Sequence, residues 1–195
     1  MMRLGITGGI GSGKSYVSRM LSERFGIPVY NCDINARVIT LTDMEVREAL
    51  TQLLPDVYDE EGDIRRDVLA NYLFASPENA QRVNSIIHPA VRHDLHHWFE
   101  LHAQHPVVAM ESAILYESHF EDEVDKVLFV DAPLEMRIHR VMERDNLSRE
   151  QVLSRMAQQA PDEARQRADY LILNDGQTPL IPQLENLLTS KPQNL

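Results

Sequence analysis

The sequence predicts an α/β domain: a five-stranded parallel sheet with helices on both faces. Three observations carry that prediction. Five short runs, residues 3–7, 28–32, 107–110, 126–130 and 170–173, are apolar and bounded by Gly, Pro, Asn or Asp. Runs of this kind read as strands buried on both faces, because crossover helices cover each side of a parallel sheet. Longer stretches with helical spacing of apolar residues separate the runs, as in a doubly wound fold. A glycine-rich octapeptide stands between the first run and the first helical stretch.

That octapeptide is Gly8-Gly9-Ile10-Gly11-Ser12-Gly13-Lys14-Ser15. It matches G-x-x-x-x-G-K-[ST] at every fixed position, with a strand predicted before it and a helix predicted from its end. The chemistry explains the residue types. Backbone N–H groups must converge on phosphate oxygens, and glycine permits both the close approach and the unusual dihedrals. The helix N-terminus adds unsatisfied donors and a positive dipole. Lys14 reaches the β/γ-phosphates of a nucleotide such as ATP, and the Ser15 hydroxyl coordinates the Mg2+ that bridges them. The sheet is thereby specified as a P-loop NTPase-type three-layer fold. The motif does not separate a kinase from a nucleotide switch or a mechanical ATPase. The helix over 14–25 is punctuated by Gly26 and Pro28.

The second run ends in Asn31-Cys32-Asp33. Ligands of open α/β sheets bind beyond the carboxyl ends of the strands, which puts Asp33 near the γ-phosphate. A carboxylate there accepts the proton of an attacking hydroxyl or helps orient Mg2+. An Asp at a strand end also caps helices. Residues 34–105 are more than a crossover requires and read as an inserted helical substrate-binding subdomain, with a turn at 59–63 and a core stripe of Val91, Leu95, Trp98 and Leu101 after Pro89. His93, His96, His97, His102 and His105 crowd the same region, but His93-Asp94-Leu95-His96-His97 is not H-E-x-x-H, and a solvated helix face is the better reading. After Pro133, Leu134, Ile138 and Val141 mark another helix. Residues 137–167 carry Arg137, Arg140, Arg144, Arg149, Arg155, Arg165 and Arg167. They form either a helical lid over a polyanion or a solvated helix pair, since Glu143, Asp145 and Glu150 offset part of the charge.

The 195 residues suit a single domain, 1–195, with the insertion at about 34–105 and the lid at about 137–167. Nineteen Lys and Arg against 30 Asp and Glu give a net charge of -11, which argues against nucleic acid and anionic membrane as partners. One cysteine, Cys32, cannot form an internal disulfide, and from this sequence neither a signal peptide nor a membrane-spanning segment is expected. The expectation is a cytoplasmic protein with a small-molecule substrate and no obligate protein partner. Residues 191–195 offer little to dock, and such termini are often mobile.

These residues together resemble the dephospho-CoA kinase family. Residues 5–15 are similar to its extended phosphate loop, Asn31-Cys32-Asp33-Ile34-Asn35-Ala36-Arg37 to its D-A-D-x-x-A-R segment, and Ile64-Arg65-Arg66, Phe74 and His88-Pro89 to its substrate-domain pattern. Leu115-Tyr116-Glu117 stands at the end of its P-L-L-x-E. Arg140, Arg144-Asp145, Arg155 and Gln159 fall in its lid, and Ala168-Asp169 with Asn174-Asp175-Gly176 resemble its closing signature. The resemblance covers about residues 3–176. The chain departs from the pattern at Asn31 (first Asp of D-A-D), Ala113 (Pro of P-L-L-x-E) and Tyr16 (usually Thr).

The resemblance implies that ATP phosphorylates the ribose 3′-hydroxyl of dephospho-CoA, with Asp33 as base or orienting carboxylate, Lys14 on the triphosphate and Arg140 stabilising charge on the transferring phosphoryl. It places the nucleotide on residues 8–15 with Tyr16, Arg144 and Asn174. It places the acceptor on Thr7, Asp33, Arg66, His88 and Glu117, and Mg2+ on Ser15 with Asp33 as a second ligand. Another small kinase of the same architecture is the nearest alternative. A nucleotide switch would carry a base-reading N-K-x-D, whereas Asn174-Asp175 is followed by Gly176.

Overall fold

The computed structural model describes residues 1–157, 159 and 161–189. Residues 191–195, and two positions within the 137–167 segment, lie outside the described residues. In chain order the elements are β1 (Met2–Thr7), α1 (Lys14–Phe25), β2 (Val29–Asn31), α2 (Cys32–Thr42), α3 (Met44–Leu53), α4 (Arg66–Ala75) and α5 (Pro77–Leu101). They continue with β3 (Val107–Glu111), a 3-10 turn (Phe120–Glu123), β4 (Lys126–Asp131), α6 (Leu134–Asp145), α7 (Arg149–Met156), α8 (Pro161–Arg167), β5 (Tyr170–Leu173) and α9 (Leu180–Thr189). The strands form one sheet in the order β2-β3-β1-β4-β5, and β1 pairs in parallel with both β3 and β4.

The chain divides into two compact units. The first comprises Met1–Val29 and the chain from Ala103 onward. Its core lies on one face of the sheet, where Leu4, Ile6, Ala109, Leu128, Val130 and Ile172 meet Val17 and Leu21 of α1 and Leu184 and Leu187 of α9. The alternate residues Val108, Met110, Val127 and Phe129 are buried as well. Burial on both faces is why these strands read as unbroken apolar runs. Truncating a fully buried residue such as Leu4 to Ala would cost about 2–5 kcal/mol. A second cluster joins Ile138 and Val141 of α6 to Val152 and Met156 of α7. Leu134, one of the three apolar positions that mark α6 in the sequence, is 52% exposed, being the first residue of its helix.

The second unit, Tyr30–His102, is helical. The Asn31 side chain accepts from Ile34 N at 2.9 Å and caps α2, a role Asn fills as well as Asp. Tyr30 is buried, donates to Asp94 Oδ2 at 2.6 Å and packs edge-on against Trp98 at 5.6 Å. Burial first, then that hydrogen bond, pushes the phenol pKa well above its usual value. The spacing places a helix after Pro89, whereas α5 begins twelve residues earlier at Pro77, with Ser76 capping Asn79 N at 3.2 Å. An interior proline costs about 3 kcal/mol. Buried Val83, Val91, Leu95 and Phe99 on one side of α5 outweigh it. Phe99 takes the buried place given to Leu101, which is 60% exposed.

Candidate active site

The phosphate loop joins β1 to α1 in the first unit. Gly13 caps α1 with φ 93°, a left-handed conformation that disfavours any side chain. A Cβ there would also run into Asn174 Nδ2. Asn174 follows β5, is 7% exposed and donates to Ser12 O at 2.8 Å. Arg140 donates to Ser12 O at 3.3 Å, to Gly11 O at 3.4 Å and to Asn174 O at 3.2 Å. In a trans peptide the C=O and N–H point opposite ways. Fixing Ser12 O against Asn174 and Arg140 therefore fixes the Gly13 N–H on the opposite side of the same peptide. Lys14 Nζ donates to Gly8 O at 2.9 Å, so its ammonium lies along the loop.

The Ser15 hydroxyl donates to Glu111 Oε1 at 2.6 Å. Glu111 ends β3 and is 4% exposed. A buried carboxylate in a phosphate site needs such a partner, or a cation, to offset its lost hydration. Two hard oxygen donors side by side at the helix start suit Mg2+, which is held by few protein oxygens and keeps several waters.

Thr7 and Glu117 come together here. They line a cavity of about 10 Å3 with Gly8, Gly9, Ala113 and Gln159. Tyr16, 51% exposed, lines a larger cavity of about 590 Å3 with Met20, Asn174, Gly176 and Thr178.

The arginines of the 137–167 segment divide into two sets. Arg144 and Arg155 both bind Asp145, at 2.7 and 3.2 Å. Arg149 binds Glu135 at 2.7 Å, Arg165 binds Asp131 at 3.0 Å, and Arg167 binds Glu121 at 2.7 Å. Arg137 and Arg140 turn instead to the loop. Arg137 Nε donates to Ile10 O at 2.9 Å, and its guanidinium occupies the space that a side chain at Gly9 would need. Its burial lowers its pKa, against the opposing pull of Asp131 and Asp162.

The remaining predicted positions belong to the second unit. Asp33 is exposed in the first turn of α2. Arg66 opens α4 and lines a cavity of about 570 Å3 with Arg37, Thr40, Leu41, Ile64, Leu69 and Ile87. His88 is half-buried within α5, and burial, with Arg92 nearby, lowers its pKa. Among the described residues the histidines form no metal-ligand cluster. Asp59, Glu61 and Asp63 do converge, in an exposed turn.

A family model described as dephospho-CoA kinase matches residues 2–179. The chain belongs to the dephospho-CoA kinase family. The dephospho-CoA kinase of Bacteroides fragilis strain YCH46 is 45% identical over 188 residues, covering 96% of this chain and 91% of its own length. That of Porphyromonas gingivalis is 41% identical over 198 residues, covering 98% and 97%. A Thermus thermophilus crystal structure superposes with a TM-score of 0.80 at 36% identity, over 96% of this chain and 94% of its own. The Campylobacter jejuni dephospho-CoA kinase shares the fold, with a TM-score of 0.65 at 22% identity over 95% and 93%.

For this dephospho-CoA kinase family member the fold is the one expected from the sequence. Of three further residues bound to the loop, Glu111 was not singled out by motif, while Arg137 and Gln159 were named in the lid segment but not as partners of the loop, where Gln159 accepts from Ile10 N at 2.8 Å. Glu111 carried a usable signal, an acidic residue closing an apolar run in a phosphate-binding α/β sheet.

Proposed function

We propose that this chain transfers the γ-phosphoryl group of ATP to the ribose 3′-hydroxyl of dephospho-CoA, giving CoA and ADP. The observation that carries the reading is the loop itself, with its carbonyls held by Asn174 and Arg140 and its Ser15 hydroxyl on a buried Glu111. That arrangement supports a bound triphosphate by orientation and fixed dipoles, which supply most of the catalysis in phosphoryl transfer.

The 3′-oxygen attacks the γ-phosphorus, the bond to the bridging β-oxygen breaks, and the hydroxyl proton passes to Asp33. Lys14 follows the β/γ-phosphates; Arg140, on exchanging the loop and Asn174 carbonyls it binds here for phosphate oxygens, offsets charge on the transferring group from a helical lid at about 137–167, with Arg144 as the second candidate. Ser15 and Glu111 would hold Mg2+, directly or through water, with Asp33 as a further candidate; the ion supplies neutralisation of the phosphate charge. Tyr16 and Asn174 border the cavity suited to the nucleoside. Thr7 and Glu117 line the small cavity beside the loop and belong to the acceptor side of the reading.

The acceptor is assigned to the insertion, about 34–105. Its cavity offers two guanidinium groups, Arg37 and Arg66, beside apolar Leu41, Ile64, Leu69 and Ile87. Guanidinium groups pair with phosphates in fork geometry. A molecule with a diphosphate and a long, weakly polar arm matches that mixture, and dephospho-CoA is such a molecule. His88 supports the same unit. The reading includes a cytoplasmic location and no obligate protein partner. Among the described residues no helix is long and apolar enough to cross a membrane.

A coupled ADP-release assay with ATP and Mg2+ tests the proposal, with dephospho-CoA, adenosine monophosphate and pantetheine phosphate as parallel acceptors. Selective turnover of dephospho-CoA is the expected result. Preference for either other acceptor keeps a kinase and overturns the substrate. Nucleotide binding without acceptor-stimulated turnover overturns the transfer reaction.

A further inference from the structure

Ile10, the third residue of the phosphate loop, is held in three ways by the segment after β4. Its N–H donates to Gln159 Oε1 at 2.8 Å. Its C=O accepts from Arg137 Nε at 2.9 Å. Its side chain packs against the cluster of Ile138, Val141, Val152 and Met156 that joins α6 to α7. The glycines on either side tighten the contact: the Arg137 guanidinium fills the space beside Gly9, and a Cβ on Gly11 would strike the Arg137 backbone. Gln159 also donates through Nε2 to Ala113 O at 3.3 Å, bridging the loop to the chain after β3.

Phosphate settling on the loop hydrogen-bonds to its backbone N–H groups and so bears on the peptides that carry them. The peptide before Ile10 is gripped at its N–H and the peptide after it at its C=O, so with the Ile10 side chain in an apolar cluster neither peptide can shift without moving what grips it. We infer that Ile10 is the point through which triphosphate on the loop sets the order of α6 and α7, with Gln159 and Arg137 as positioning residues for the phosphates. The inference rests on the nucleotide reading above and does not depend on the acceptor. Linkage makes the effect reciprocal: order in α6–α7 raises nucleotide affinity by the factor by which nucleotide orders α6–α7.

The test is hydrogen exchange by mass spectrometry on the full chain, with and without the non-hydrolysable analogue AMP-PNP and Mg2+. In the natural protein, nucleotide slows exchange in residues 8–16 and also in 134–156. In Gln159→Ala and in Ile10→Ala, protection of 8–16 persists while the added protection of 134–156 falls by about 5-fold or more, the low end of ordinary coupling. The KM for ATP rises by a similar factor with kcat nearly unchanged, the signature of lost uniform binding. Gln159→Glu keeps an acceptor for Ile10 N–H and restores part of the coupling. Should Ile10→Ala unfold, Gln159→Ala carries the same measurement without touching the apolar cluster. Loop protection without protection of α6–α7, or equal α6–α7 protection in the natural protein and both variants, overturns the coupling alone. Protection of neither segment overturns the nucleotide site and the coupling with it.

Discussion

The Ser15 hydroxyl donates its 2.6 Å hydrogen bond to a carboxylate, Glu111 Oε1, that is 96 residues away in the chain and almost wholly buried. Neither residue gains much from the other as packing alone. Together they set two oxygens at the start of α1, where the proposed function seats the phosphates and their cation. Glu111→Gln keeps the shape and removes the charge. We expect kcat to fall about 10–100-fold, the usual cost of losing a group that orients a metal ligand. The Mg2+ concentration needed for half-maximal rate should rise, with thermal stability little altered. A titration of turnover against Mg2+ checks this; unchanged kcat and Mg2+ demand would reduce the pair to a structural contact.

Asp33→Asn separates chemistry from binding. Asp33 stands in the first turn of α2, and Asn31, not Asp33, caps that helix. The substitution therefore leaves the Asn31 cap intact and removes the carboxylate proposed as proton acceptor. Nucleotide affinity should stay within about 2-fold while turnover drops about 100- to 10,000-fold, the range for loss of a general base. Isothermal titration with AMP-PNP beside steady-state rates gives both numbers. Full turnover in the variant would mean that the proton leaves by another route.

Two glycines with positive φ make a controlled comparison. Gly13 has φ 93° and Asn174 against it; Gly26 has φ 65° and nothing within 4 Å. Each change to Ala incurs a backbone penalty of about 1–2 kcal/mol. Gly13→Ala must in addition push Asn174 off the loop. The expectation is a fall in melting temperature for both, larger for Gly13→Ala, with nucleotide-induced stabilisation lost only in Gly13→Ala. Differential scanning fluorimetry with and without ADP and Mg2+ reads the difference, and retained stabilisation in Gly13→Ala would contradict the steric argument.

What the sequence made legible follows the range of the interactions involved. All five strands were readable, because buried parallel strands are continuous apolar runs, and so was α1, because Gly26 ends it in a left-handed conformation. The loop was readable because its chemistry lies within eight consecutive residues. The start of α5 was misread, since local propensity treats Pro89 as a boundary while the packing of Val83, Val91, Leu95 and Phe99 carries the helix through it. Glu111, Arg137 and Gln159 were missed as site residues because each meets the loop across 96, 127 and 149 positions. No local pattern encodes such pairings; the order of strands in the sheet creates them.

The last prediction concerns pH and His88. Burial on α5, reinforced by Arg92, holds its folded-state pKa below the ordinary 6.5. In the unfolded chain the imidazole binds its proton near that ordinary value, so on acidification the unfolded state takes up the proton first. The contribution of neutral His88 is thus fully present above about pH 6.5 and is lost as the pH falls from there toward the folded-state pKa. Per group, the slope cannot exceed about 1.4 kcal/mol per pH unit. Urea midpoints between pH 8 and 5, compared with those of His88→Gln, isolate the effect: the natural protein should lose stability more steeply below pH 6.5, and the two curves should run parallel above it. Parallel curves throughout would show that His88 titrates alike in the folded and unfolded chain, and would remove burial as the source of its shift.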